Sequence, residues 1–103
     1  MNNFTGLPVI ELVRPLDHHR AWIVYADGTQ GIIDLKPFLT GAAFASVRSN
    51  QRLFNRIEVN EIGSIAWPDG TDIAPESVYN AVIRSNPVIP DLEFRKQLES
   101  TAL

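Results

Sequence analysis

The stretch from Ile65 to Tyr79 (Ile-Ala-Trp-Pro-Asp-Gly-Thr-Asp-Ile-Ala-Pro-Glu-Ser-Val-Tyr) carries a strand, a turn and a helix start in immediate succession. Ser64 to Trp67 is a short apolar strand. Pro68-Asp69-Gly70 is a turn, built from residue types that preset or tolerate turn dihedrals, and Thr71-Asp72-Ile73 leaves it. Pro75 suits the first turn of a helix, where its missing N–H would be unpaired anyway. Glu76 then stands at the positive end of the helix dipole. Val78, Tyr79, Val82 and Ile83 give this helix, Pro75–Ile83, an apolar stripe. No catalytic or cofactor motif has this form, so the stretch is a structural signature.

The rest of the chain supplies the sheet. Val9–Leu16 is β-branched and nearly alternating, with Pro15 stopping it, and Asp17-His18-His19 reads as a surface turn. Arg20–Tyr25 and Gln30–Leu35 are strands flanking Asp27-Gly28, the residue pair a two-residue type I′ hairpin favours. That loop predicts Trp22 opposite Ile33, Ile23 opposite Ile32 and Val24 opposite Gly31. Both faces of the hairpin are then apolar, which implies cover on both sides or cover on one side and an interface on the other. Ser49-Asn50 is expected to cap a short helix over Gln51 to Asn55, with Phe44, Val47 and Phe54 anchoring the region on the sheet. Arg56–Glu61 alternates as a half-buried strand, broken at Gly63. The fold class is therefore α+β: a small, mainly antiparallel sheet with one or two packed helices, over residues 1–84. Residues 85–103 read as a proline-containing linker and a short helical tail from Asp91, with Leu92, Phe94 and Leu98 as its apolar members and candidate partner contacts.

The 103 residues fit one small domain. With 9 Lys+Arg against 12 Asp+Glu, the net charge of -3 argues against a nucleic-acid binder that works by phosphate neutralisation. The absence of cysteine excludes disulfides, thiolate metal sites and a Cys nucleophile. No signal peptide and no membrane span is legible, so a cytoplasmic location is expected.

Trp22, Val24, Asp27-Gly28, Ile33-Asp34-Leu35-x-Pro37, Phe44 and Phe54 are followed by Ile65-x-Trp67-Pro68-Asp69-Gly70-x-Asp72-Ile73-x-Pro75-Glu76-x-x-Tyr79. This series, from about Val9 to Tyr79, resembles the bacterial family known as domain of unknown function 2442. The signature residues carried over are Trp22, Asp27, Gly28, Asp34, Pro37, Trp67, Pro68, Asp69, Gly70, Asp72, Pro75, Glu76 and Tyr79. The resemblance implies a small α+β domain. It also implies a setting: members occur alone, fused to helix-turn-helix domains, or beside a second small protein as in a toxin–antitoxin pair. It brings no catalytic residue and no cofactor. With only the residues to Leu103 after Tyr79, a fused helix-turn-helix is not expected.

The remaining constellations have structural explanations. Asp69, Asp72 and Glu76 could hold a hard cation, but turn, capping and dipole chemistry demand the same residue types at the same places. His18 and His19 lack a third imidazole, and adjacent turn residues usually point apart. Arg48, Arg52 and Arg56 recur at a four-residue spacing, which makes either a basic face or a solvated one. Tyr79 is expected to pack its ring and offer its hydroxyl to a partner or to the turn at Asp69. No cofactor and no metal is expected. The function that follows is a non-enzymatic interaction module, antitoxin-like or regulatory, whose partner is another small protein, a second copy, or both. The alternatives are a nucleic-acid-associated regulator and, least favoured, a metal-dependent hydrolase.

Overall fold

A computed structural model of the chain describes residues 8–85. Among the described residues six strands and three α-helices follow one another as β1 (Ile10–Leu16), β2 (Arg20–Tyr25), β3 (Gln30–Asp34), α1 (Ala45–Ser49), α2 (Gln51–Phe54), β4 (Glu58–Val59), β5 (Ile65–Ala66), β6 (Asp72–Ile73) and α3 (Pro75–Arg84). The α+β class is as the sequence indicates. The sheet resolves into two antiparallel halves, β1-β2-β3 and β4-β5-β6. They adjoin where β1 runs beside β4. The linker and tail expected over 85–103 lie, apart from Ser85, outside the described residues.

The β2–β3 hairpin departs from the expected register by one residue. Ala21 pairs with Ile33, Trp22 with Ile32 and Ile23 with Gly31. The loop has three residues, Ala26-Asp27-Gly28, closed by Gly28 N–H to the Tyr25 carbonyl (3.0 Å) and Tyr25 N–H to the Thr29 carbonyl (2.8 Å). A two-residue type I′ loop would force both Asp27 and Gly28 into positive φ. The three-residue loop asks this of Gly28 alone (φ 92°) and leaves Asp27 free to accept the Thr29 N–H at 2.8 Å. The same loop recurs twice, at Glu61-Ile62-Gly63 and at Pro68-Asp69-Gly70, with matching closures from Gly63 to Asn60 and from Gly70 to Trp67.

A one-residue slip exchanges which β3 side chains share a face with each β2 residue. Ala21, Ile23 and Tyr25 of β2, with Gly31 and Ile33 of β3, form the inner face, and all are buried. Val13 and Ile10 of β1 extend it. Against this face pack Val47, Phe54, Ile65, Trp67, Val78 and Val82 in one cluster. Burying each aliphatic side chain of this kind is worth about 1.5–3 kcal/mol, so this cluster holds the two halves of the sheet together. Ile83, expected in the stripe of α3, is 45% exposed and takes no part.

Gly31 lets α3 close on β3. A Cβ there would lie 2.3 Å from Ser85 Oγ and 3.2 Å from the Val82 carbonyl. An isolated glycine inside a strand pattern is the usual sign of such an approach.

Pro15 does not end β1 but lies within it, opposite Ala21. The turn before β2 holds the two non-glycine residues of positive φ among the described residues, His18 (φ 63°) and His19 (φ 58°), both in the left-handed region. Gln51 of α2 explains how that turn is held. Its amide nitrogen donates to the Leu16 carbonyl (3.1 Å), and its Oε1 accepts the His19 N–H (3.1 Å).

Candidate functional site

Two groups of signature residues are brought by the fold to different places, while Trp22 lies on the outer face of the first sheet and Asp34 and Pro37 at the exit of β3. Asp27, Gly28, Pro75 and Tyr79 converge where the tip of the β2–β3 hairpin meets the first turns of α3. The Tyr79 hydroxyl donates to Asp27 Oδ2, and Thr29 Oγ1 lies 3.3 Å from the same hydroxyl. Beneath it the Tyr25 ring stands edge-on to Tyr79, with centroids 4.7 Å apart. The Tyr25 hydroxyl donates to the Pro75 carbonyl (2.8 Å). The hydrogen bond from Tyr79, then that from Thr29, holds the Asp27 carboxyl below the usual carboxylate range. Burial, and after it the ionisable neighbours Tyr79, Asp27 and Glu76, pushes the Tyr25 phenol well above its usual value. The Tyr79 hydroxyl thus goes to the other hairpin, not to the turn at Asp69. The sequence held no sign of this pairing, because nothing local connects Asp27 to Tyr79.

The second group surrounds Trp67. Its indole N–H donates to the Phe54 carbonyl (3.0 Å), and its ring packs on Phe54 at 5.9 Å and Phe44 at 6.3 Å. His19 continues the chain of rings, 4.7 Å from Phe54. Pro68-Asp69-Gly70 closes the loop above, where Asp69 Oδ1 accepts both the N–H (3.0 Å) and the hydroxyl (2.6 Å) of Thr71. The hydroxyl, then the N–H, of Thr71 lowers the Asp69 pKa. Glu76 is exposed in the first turn of α3. Asp72 is exposed on β6 and does not cap the helix: Ala74 occupies that position, with no side-chain cap. Asp34 Oδ1 accepts the Lys36 N–H (2.9 Å), fixing the chain's exit from β3 into Pro37.

The histidines correct the surface-turn expectation by half. His18 is exposed, but His19 is only 7% exposed, with Nε2 2.9 Å from the Val47 carbonyl. Among the described residues no group of three or more His, Asp or Glu is placed to share an ion.

Arg48, Arg52 and Arg56 do not form one face. Asn50 breaks the helix between α1 and α2 with extended dihedrals, and its side chain caps α2 by accepting from Arg52 N–H (3.0 Å) and Leu53 N–H (3.3 Å). Arg48 turns back to the Leu39 and Gly41 carbonyls, while Arg56 sits in the turn after α2.

The feature best suited to recognition is the outer face of β1-β2-β3. Leu12 pairs with Val24, Arg14 with Trp22, and Trp22 with Ile32. These side chains alternate with the inner-face residues and are only half-buried. The Trp22 indole N–H reaches across to β3, donating to Gln30 Oε1 at 3.1 Å. Leu92, Phe94 and Leu98, expected as partner contacts, lie outside the described residues.

Among the described residues no helix is long and apolar enough to cross a membrane. No curated protein and no solved structure matches the chain. The family model described as protein of unknown function (DUF2442) matches residues 10–84 of the 103, and the chain belongs to that family.

Proposed function

We propose that the protein is a non-enzymatic interaction module of the bacterial cytoplasm, the antitoxin-like or regulatory member of a two-protein system. The outer sheet face supports this reading. Leu12, Trp22, Val24 and Ile32 offer a half-buried apolar surface on one face of the three-stranded sheet, with Arg14 beside Trp22. Aromatic residues and arginine are enriched in the centres of protein interfaces. The nucleic-acid reading has less support, because Arg48 is engaged with loop carbonyls and the net charge is negative.

The test is capture from the native cytoplasm with two baits, the wild-type chain and Val24→Lys, each checked for fold by circular dichroism. One protein retained in stoichiometric amount by the wild type and lost from V24K supports the proposal. Equal retention by both baits, or none by either, overturns it.

A further inference from the structure

Among the described residues strand β3 is an edge of its sheet, and its hydrogen-bonding groups are complementary to themselves. Tyr25 N–H bonds to the Thr29 carbonyl, and Leu35 N–H bonds to the His19 carbonyl. Hydrogen-bonded pairs alternate along an antiparallel ladder, so Gly31 and Ile33 also face β2 with their backbone groups. The N–H and C=O of Gln30, Ile32 and Asp34 therefore point away from the sheet. Among the described residues they have no ladder partner, since β3 neighbours β2 alone.

The opposite edge of the same sheet is protected. β1 carries a register irregularity between Ile10 and Leu12. It also carries Pro15, whose position opposite Ala21 puts the missing N–H on the outward side. Bulges and edge prolines are the devices that keep a strand from pairing with another chain. β3 has neither, and its sequence, Gln-Gly-Ile-Ile-Asp, contains no lysine.

We propose that β3 pairs antiparallel with β3 of a second copy of this chain, with Ile32 on the two-fold axis. That register sets Ile32 against its counterpart and Gln30 against the counterpart of Asp34, each pair exchanging both N–H···O bonds. It sets no like charges opposite each other, whereas an axis at Asp34 would. The two outer faces join into one, with Trp22 and Ile32 of each copy adjacent to the axis. The proposal stands on the edge geometry and does not depend on the partner reading above.

Amide hydrogen exchange on the full-length chain, followed residue by residue by NMR at a series of concentrations, tests it. Gly31 and Ile33 serve as internal controls, protected at every concentration by their bonds to β2. The expected result is that Gln30, Ile32 and Asp34 are protected at high concentration and lose protection on dilution. The mass by light scattering should fall in parallel from twice the 11.5 kDa chain mass to that of one chain. Ile32→Lys should halve the mass at high concentration and leave the control amides protected. Protection that does not change with concentration would mean that a segment of the same chain covers the edge, and would overturn the proposal. So would fast exchange of these three amides at every concentration.

Discussion

Tyr79 on α3 donates its hydroxyl to Asp27 in the β2–β3 loop, joining residues 52 positions apart through the second oxygen of a carboxylate whose first oxygen closes that loop. The corresponding aspartate of the Pro68-Asp69-Gly70 loop has no such long-range task and takes the neighbouring Thr71 hydroxyl instead. Two loops of one geometry therefore differ in what their carboxylates hold. One only shapes its own turn, and the other ties a hairpin to a helix.

Tyr79→Phe keeps the ring against Tyr25 and removes only this tie. The expected loss is about 0.5–1 kcal/mol, below the usual range for a hydrogen bond to a charged group because the carboxylate is exposed and screened by solvent. Urea denaturation of Tyr79→Phe, Asp27→Asn and the double variant measures it. The coupling between the two sites should account for most of the Tyr79→Phe effect. Strictly additive losses would contradict the tie.

The same contacts set a pH dependence at each end of the scale. Asp27 has a folded pKa below its unfolded value, which is near 4. Its contribution is complete above about pH 4 and is lost as pH falls through the folded pKa. Tyr25 has a folded pKa raised above the ordinary value of 10.0. Its contribution is complete below about pH 10 and declines as pH rises beyond it, because the unfolded chain ionises first. Melting temperatures followed from about pH 2 to about pH 11 should show a shallower acid limb for Asp27→Asn and a shallower alkaline limb for Tyr25→Phe. Unchanged limbs would remove these groups as the cause.

Gly31→Ala should destabilise by about 1–3 kcal/mol, the usual range for forcing extra volume into a packed site. The new methyl meets Ser85 Oγ first and the Val82 carbonyl behind it. Ser85→Ala in the same chain should recover part of the loss, since it removes the nearer atom and leaves the backbone contact. No recovery in the double variant, judged by chemical denaturation, would place the obstruction elsewhere.

His18 and His19 share a backbone conformation but not a fate. Substituting the exposed His18 by glycine relieves a left-handed non-glycine residue at some cost in chain entropy, so stability should be unchanged or rise by up to about 1 kcal/mol. His19→Ala removes the contact with the Val47 carbonyl and the packing on Phe54, and should cost about 1–3 kcal/mol. Thermal melts of the two variants should move in different directions or by clearly different amounts.

What the sequence determined by itself is everything carried by neighbours along the chain. The alternation of Arg20–Tyr25, the Asp-Gly pairs, the Asn50 cap and Pro75 at the start of α3 each act over a few residues, and each is where local chemistry puts it. The tertiary structure decided the rest. Asp-Gly suits more than one hairpin loop, and the three-residue loop makes Ala21, Ile23, Tyr25, Gly31 and Ile33 the face that buries against α3 and the core. Gln51 clasping the His18-His19 turn, Ser85 resting over Gly31, and Tyr79 choosing Asp27 over Asp69 are contacts between distant segments. A hydroxyl or an amide can serve many partners equally well, and only the packing that brings two chain segments within about 3 Å selects one of them.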